Sequence, residues 1–275
     1  MIKEYFLPKT IDEATALLAE FGPAMLVMAG GTLAMPLINE GISMPEYVLG
    51  LRRTALKGFH RDNGKFSLGA TTSMSEMVKQ SDLPFLQQAA NAIGGWSIRN
   101  MATVGGNLFA PPPAGDFAVA LLALDAELTL AWYKGHRKIS LEDFFLGFMT
   151  TALEPGELVT EISFAAPKGK TAYIKYGRRH ANTPAIVTVA TQITQEAGKV
   201  VDVRIALNGV GDFPLRAKGA EAALRGKPLD SDHIKKAAEI ASQECQPFTD
   251  PIASEWYRRK MAEVYVRRSL ETING

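Results

Sequence analysis

Cysteine is nearly absent. Cys245 stands alone among 275 residues, which excludes an internal disulfide framework and a four-thiolate iron–sulfur cluster built by this chain alone. Excess charge of one sign is absent as well: 30 Lys and Arg face 29 Asp and Glu, so no broad field draws the chain to nucleic acid or an anionic membrane. No apolar run reaches the roughly 18 residues of a membrane span, and residues 1–5 show no basic stretch leading into an apolar leader segment. A soluble, unexported, cytoplasmic protein is expected. The four histidines, His60, His136, His180 and His233, are scattered without ligand spacing, so no metal site is expected. No Ser-His-Asp or paired-carboxylate constellation is visible, which leaves hydrolytic or covalent catalysis unsupported. The three-glycine dinucleotide fingerprint and the Lys-Ser/Thr ending of a P-loop are both missing.

What is present is an alternation of helix and strand signals, over a length that suggests two modest domains. Thr10 and Glu13 have capping-box spacing, Ala14, Leu17, Leu18 and Phe21 keep a helical period, and Gly22 supplies a stop. The apolar run 25–29 reads as a strand, Gly30-Gly31-Thr32 as a tight loop, and 33–40 as a helix with Pro36 near its tolerated first turn. Short strands follow at 47–49 and 66–68. Ser73 and Glu76 cap a second helix, and 83–93 forms a third. The stretch 97–106 is small and polar. Residues 117–124 read as a buried helix, 127–133 and 137–139 as a hairpin around Lys134-Gly135, and 158–164 as a further strand. A composition change at 167–170 suggests a domain boundary. Beyond it, 185–194 and 200–207 form another hairpin, and helices are predicted at 216–224, 232–245 and 252–273. Tyr257, Met261, Val264 and Tyr265 take core spacing in the last of these, with Arg259, Lys260 and Arg267 outward. Met25, Met28, Met35 and Met44 read as core filler. Trp96 reads as an aromatic buried beside a helix end, or else, with Arg99, as a surface for a cofactor ring.

Glycine lets a backbone take positive φ and lets a ligand approach its amides closely, so a Gly-Gly pair leaving a strand can line up N–H donors for anionic oxygens. At Ala29-Gly30-Gly31-Thr32 the loop also feeds a helix, whose first turn adds free donors. An ordinary strand-to-helix turn has the same pattern. The second loop, Thr103-Val104-Gly105-Gly106-Asn107, repeats the chemistry. Two such loops suit a pyrophosphate, which offers oxygens on both sides. Asp116 can accept from hydroxyls, or serve as the N-cap of the following helix.

The segments AGGTLAMPL, SIRNMATVGGNLFAPPPAGDFAVALLALDAEL, YIKYGRRHANTPAI, IALNGVGDFPLRAKGAEAALRGKPL and ASEWYRRKMAEVYVRRSL together resemble the medium, FAD-binding subunit of the xanthine dehydrogenase and carbon monoxide dehydrogenase family. The likeness spans nearly the whole chain. It implies an α+β fold: a two-lobed FAD-binding domain over 1–170, with lobes of about 1–57 and 58–170, then a C-terminal domain, 171–275, of antiparallel sheet and helices. By the same likeness Ala29, Gly30, Gly31, Thr32, Leu33 and Ala34 match the first pyrophosphate loop, and Thr103, Gly105, Gly106 and Asn107 the second. Asp116 matches a carboxylate near the cofactor's sugar. Val159 matches an apolar position beside the flavin, where plain core packing explains it equally. Lys175 matches a lysine close to the ring, where a solvated strand lysine is the alternative. Two departures stand out: Leu33 where relatives carry a polar residue, and Thr183-Pro184 where they show Asp followed by Ile or an aromatic.

The resemblance implies an oxidoreductase subunit that carries FAD and passes electrons. It takes them from [2Fe-2S] clusters of a small partner subunit, after oxidation of a substrate at a molybdopterin cofactor in a large one, and gives them to NAD, oxygen or another acceptor. A scaffold with a decayed flavin site and a self-sufficient flavin oxidoreductase are the alternatives.

Overall fold

The computed structural model describes residues 2–275. The first helix, Ile11–Phe21, begins where the Thr10 hydroxyl accepts from the Glu13 amide, and ends at Gly22, whose φ is +50°. The Glu13 carboxylate reaches back one residue past the expected partner, to the Lys9 amide. This helix covers a parallel sheet in which Tyr47–Gly50 lies between Glu4–Phe6 and Met25–Met28. Ala14, Leu18, Met25 and Leu49 form its core.

A second, antiparallel sheet runs in the order Phe59–Asp62, Lys65–Gly69, Leu158–Ala165, Glu127–Trp132, Gly135–Ser140. Sharing a core with it is the helix Asp116–Ala123, all eight of whose residues are buried. A helix apolar on every side belongs between two layers, and this one also packs on the strand Ala185–Glu196 of the third sheet. That third sheet is antiparallel, in the order Lys170–Gly177, Ala185–Glu196, Lys199–Asn208, Leu215–Arg216. The helices Lys218–Leu224, Ser231–Glu244 and Glu255–Asn274 enclose its other core. The α+β class, with an antiparallel C-terminal sheet and helices, is as expected. No helix among the described residues is long and apolar enough to cross a membrane. Burial pushes the thiol of Cys245 up to about 12, so it stays protonated and unreactive.

Several local readings change. Strands at Glu4–Phe6, Phe59–Asp62 and Lys170–Gly177 carry charged or mixed sequences with little alternation, and pairing in a sheet rather than pattern makes them strands. The small, polar stretch holds two short helices, Trp96–Met101 and Val104–Asn107. Trp96 is 75% exposed, contrary to its expected burial, and Met44 is 81% exposed rather than core filler. The last helix is rotated by one position: Arg258, Ala262, Val266, Ser269 and Leu270 face inward, while Tyr257, Met261, Val264 and Tyr265 sit on the flank.

The cause of that rotation is Arg258, a fully buried residue that a hydropathy pattern assigns to water. Its guanidinium donates through Nη1 to the carbonyls of Ala185, Ile186 and Gly209, and through Nη2 alone to both oxygens of Asp250 at 2.9 and 2.8 Å. The last helix is thereby tied to the start of the strand Ala185–Glu196. Burial raises the Asp250 pKa, but amide donors at Ala253 and Ile252 and the Arg258 guanidinium outweigh it and hold the carboxyl below its usual range. Removing one member of a buried pair strands the other, so Arg258→Met is expected to cost about 3–5 kcal/mol in denaturant unfolding at neutral pH. Because the folded pKa is depressed, the pair's contribution is complete above the unfolded value of about 3.9 and is lost as pH falls through the folded one. The gap between variant and wild type should therefore narrow in acid; a gap unchanged below that range would count against the pair as its cause.

Candidate functional site

The strand Met25–Met28 delivers the chain to the first glycine loop at the edge of a cavity of about 630 Å³. That size falls within the range of roughly 300–1,000 Å³ typical of ligand sites. The two glycines of this loop serve different ends. A Cβ on Gly30 would overlap the Met101 carbonyl oxygen, so Gly30 lets the loop lie against the end of the Trp96–Met101 helix. Gly31 has φ +73°, the left-handed region that glycine enters without strain. The turn it makes leaves four consecutive amides, those of Gly31, Thr32, Leu33 and Ala34, with no acceptor among the described residues. Leu33 occupies the N-cap position of the helix Ala34–Asn39 and provides no side-chain cap, and the Met35 amide bonds instead to the Gly31 carbonyl.

The second loop differs from the first, although the sequence makes them look alike. Its residues Val104–Asn107 are helical, and their amides are already engaged: Val104 with the Thr72 carbonyl, Gly105 with that of Ala70, Gly106 with the Thr103 hydroxyl, Asn107 with the Thr103 carbonyl. Gly105 is glycine because a Cβ would sit 2.8 Å from Ala70. The donors left over are side chains. The Thr103 hydroxyl accepts from Gly106 and keeps its own proton, and Asn107 accepts through Oδ1 from the amides of Phe117 and Ala118 and keeps Nδ2. Asn107 thus caps the buried helix Asp116–Ala123 from outside it. Asp116 itself is the first residue of that helix, whose N-cap is Gly115, so the N-cap alternative for Asp116 does not hold.

The Asp116 carboxylate instead forms an ion pair at 2.7 Å with Lys175, from the strand Lys170–Gly177, and accepts from the Thr188 hydroxyl. Lys175 also donates to the Ala92 carbonyl. All thirteen residues singled out by sequence, from Ala29 through Ala34, Thr103, Gly105, Gly106, Asn107, Asp116, Val159 and Lys175, line this one cavity. Thr183 and Pro184 line it too.

Other lining residues carried no sequence signal. Glu157 is buried and held in a fork by Arg137 at 2.7 and 2.8 Å, and it accepts from the Glu154 amide. The Arg137 contact keeps its carboxyl below the usual range despite burial. Arg99 does not reach the cavity; it donates to the carbonyls of Asn91, Ile93 and Gly94 and so fixes Ile93 and Gly94 in the wall. Among the described residues that line the cavity, Asp116, Glu157 and Lys175 are the only ionisable ones, and each is paired. Free amides of the first loop, free hydroxyl and amide donors of the second, and apolar walls at Ile93, Leu153 and Val159 fit a long anionic cofactor with a flat apolar part.

Residues 1–167 match the family described as the FAD binding domain in molybdopterin dehydrogenase, and residues 172–273 match the CO dehydrogenase flavoprotein C-terminal domain. The chain is similar to the glyceraldehyde dehydrogenase medium chain of Sulfolobus acidocaldarius, 34% identical over 253 residues that cover 90% of this chain and 89% of that one. It is similar as well to the carbon monoxide dehydrogenase medium chain of Hydrogenophaga pseudoflava, 30% identical over 275 residues covering 97% and 95%. A solved structure of carbon monoxide dehydrogenase from Hydrogenophaga pseudoflava aligns with a TM-score of 0.95 at 31% identity, over 98% of this chain and 96% of that one. Quinoline 2-oxidoreductase from Pseudomonas putida 86 aligns at 0.92 and 25% identity, over 99% and 96%.

Proposed function

Because the chain belongs to the FAD-binding medium subunits of the molybdopterin dehydrogenase family, we propose that it holds FAD between its two glycine loops and serves as the electron-passing subunit of a cytoplasmic complex. Its partners are then a small subunit with [2Fe-2S] clusters and a large one with a molybdopterin cofactor, and the external acceptor is NAD, oxygen or another carrier. Bound FAD supplies the redox chemistry, linking one-electron donors to a two-electron acceptor. The chain's own residues position it. The four free amides of Gly31, Thr32, Leu33 and Ala34 are the observation that carries this reading, since consecutive donors of that kind suit phosphate oxygens. Thr103 and Asn107 would supply side-chain donors from the second loop. Asp116 retains further lone pairs with which to accept from the cofactor's sugar. Val159 would pack on the ring, and Lys175 would supply a cation near it. We take 1–170 as the FAD-binding domain, with lobes of about 1–57 and 58–170, and 171–275 as the C-terminal domain. The gap between the two matched families and the start of the third sheet at Lys170 support that division.

The purified chain is expected to be yellow, or to take up one FAD per chain with quenching of flavin fluorescence. A chain that neither retains nor rebinds FAD would favour the scaffold reading.

A further inference from the structure

Lys175 and Asp116 meet at 2.7 Å in the wall of the cavity, with Lys175 at 13% and Asp116 at 4% side-chain exposure. The carboxylate is held on its other side by the wholly buried Thr188, and the ammonium by the Ala92 carbonyl. Three contacts, among four residues from separate parts of the chain, fix both charges in place. The third ionisable residue of the wall, Glu157, is balanced by Arg137. The wall as a whole is therefore close to neutral, although it contains a lysine.

We infer that Asp116 is a positioning residue acting through Lys175: it holds the ammonium at the cavity and offsets its charge, so that the pair, not the lysine alone, sets the reduction potential of bound flavin. This rests on the FAD reading above. Reduction places negative charge in the cavity, and charges in a poorly hydrated wall act on it with little screening. An unbalanced Lys175 favours the reduced form; an unbalanced Asp116 opposes it. Asn at 116 can keep its oxygen on Lys175 and its amide on Thr188, whose hydroxyl can turn to accept, so the substitution removes charge with little change of shape.

The test compares midpoint potentials of FAD-loaded wild type, Asp116→Asn, Lys175→Met and the double variant by spectroelectrochemical titration, with FAD stoichiometry measured alongside. Asp116→Asn is expected to raise the potential and Lys175→Met to lower it. Each shift should be at least tenfold in the two-electron equilibrium, about 30 mV, and the double variant should return to near wild type. Lys175→Arg, which keeps the charge, should leave the potential near wild type, and together with Lys175→Met it decides the matter should Asp116→Asn not fold. A purely structural role would lower FAD content in all the neutral variants without splitting their potentials in opposite directions. Four FAD-bound proteins with unsplit potentials, or an Arg variant shifted as far as the Met one, overturn the inference alone. A wild-type chain that binds no FAD overturns the FAD reading and this inference with it.

Discussion

Gly106→Val is expected to purify as a folded protein that has lost its FAD. The four loop glycines differ in what surrounds them: Gly30 and Gly105 abut backbone, Gly31 has a positive φ, and Gly106 has neither constraint. A Cβ at Gly106 meets only the Thr103 hydroxyl oxygen, at 2.8 Å. The residue is helical, so a branched side chain is conformationally allowed there. Overpacking at one such contact costs about 1–3 kcal/mol, against a total stability on the order of 5–15 kcal/mol. The fold survives that. The cavity does not, because the valine methyls occupy the space beside Thr103 and Asn107 in which a phosphate would be gripped. Substitution elsewhere in the loops should read differently. Gly30→Ala drives a methyl into the Met101 carbonyl, and Gly105→Ala into Ala70, so both should lower the melting temperature before any question of cofactor arises. Gly31→Ala adds about 1–2 kcal/mol of backbone strain at its positive φ. Flavin absorbance after gel filtration, with circular dichroism melts of the same samples, separates the cases. Full flavin occupancy in Gly106→Val would show the cradle to be misplaced.

The contrast between those glycines also marks where sequence stops informing. Both loops are visible as Gly-Gly motifs, and the caps at Thr10 and Ser73 are local chemistry that folds as written, while the expected hairpin forms with its turn at Tyr133-Lys134, one residue before the expected Lys134-Gly135. What a glycine is for depends on what lies across from it, and Met101 and Ala70 are brought there by tertiary packing. The same holds for donors. The amides of Val104 and Gly105 are engaged because the segment 70–74 runs beside them, a neighbour that no spacing rule supplies. The ion pairs Asp116–Lys175, Arg137–Glu157 and Arg258–Asp250 each join separate elements. Hydropathy sends all six side chains to water, and for Arg258 this moved the reading of the last helix by one position. Trp96 erred the other way: an aromatic was assigned to the core and lies on the surface.

Loaded with FAD and without partners, the chain is expected to show slow diaphorase or oxidase activity at most, and no oxidation of aldehydes, N-heterocycles or carbon monoxide. One cysteine cannot supply four thiolates. The cavity's ionisable side chains offer no proton acceptor for substrate chemistry, because Asp116 is bound by Lys175 and Thr188, and Glu157 by Arg137 and the Glu154 amide. A general base must be free to reach the proton it takes. These carboxylates hold their neighbours in place. On the proposed reading, electrons from an organic substrate arrive through partner chains carrying two [2Fe-2S] clusters and a molybdopterin cofactor, while a nicotinamide or chemical donor reaches the flavin directly. Expressing the chain alone and with its genomic neighbours, then following anaerobic flavin bleaching on one substrate panel, measures the difference. The lone chain should bleach with dithionite and slowly with a nicotinamide donor, and the assembled complex rapidly with its own organic substrate. Rapid bleaching of the lone chain by any organic substrate would overturn the electron-passing role and make the cavity itself a site of substrate oxidation.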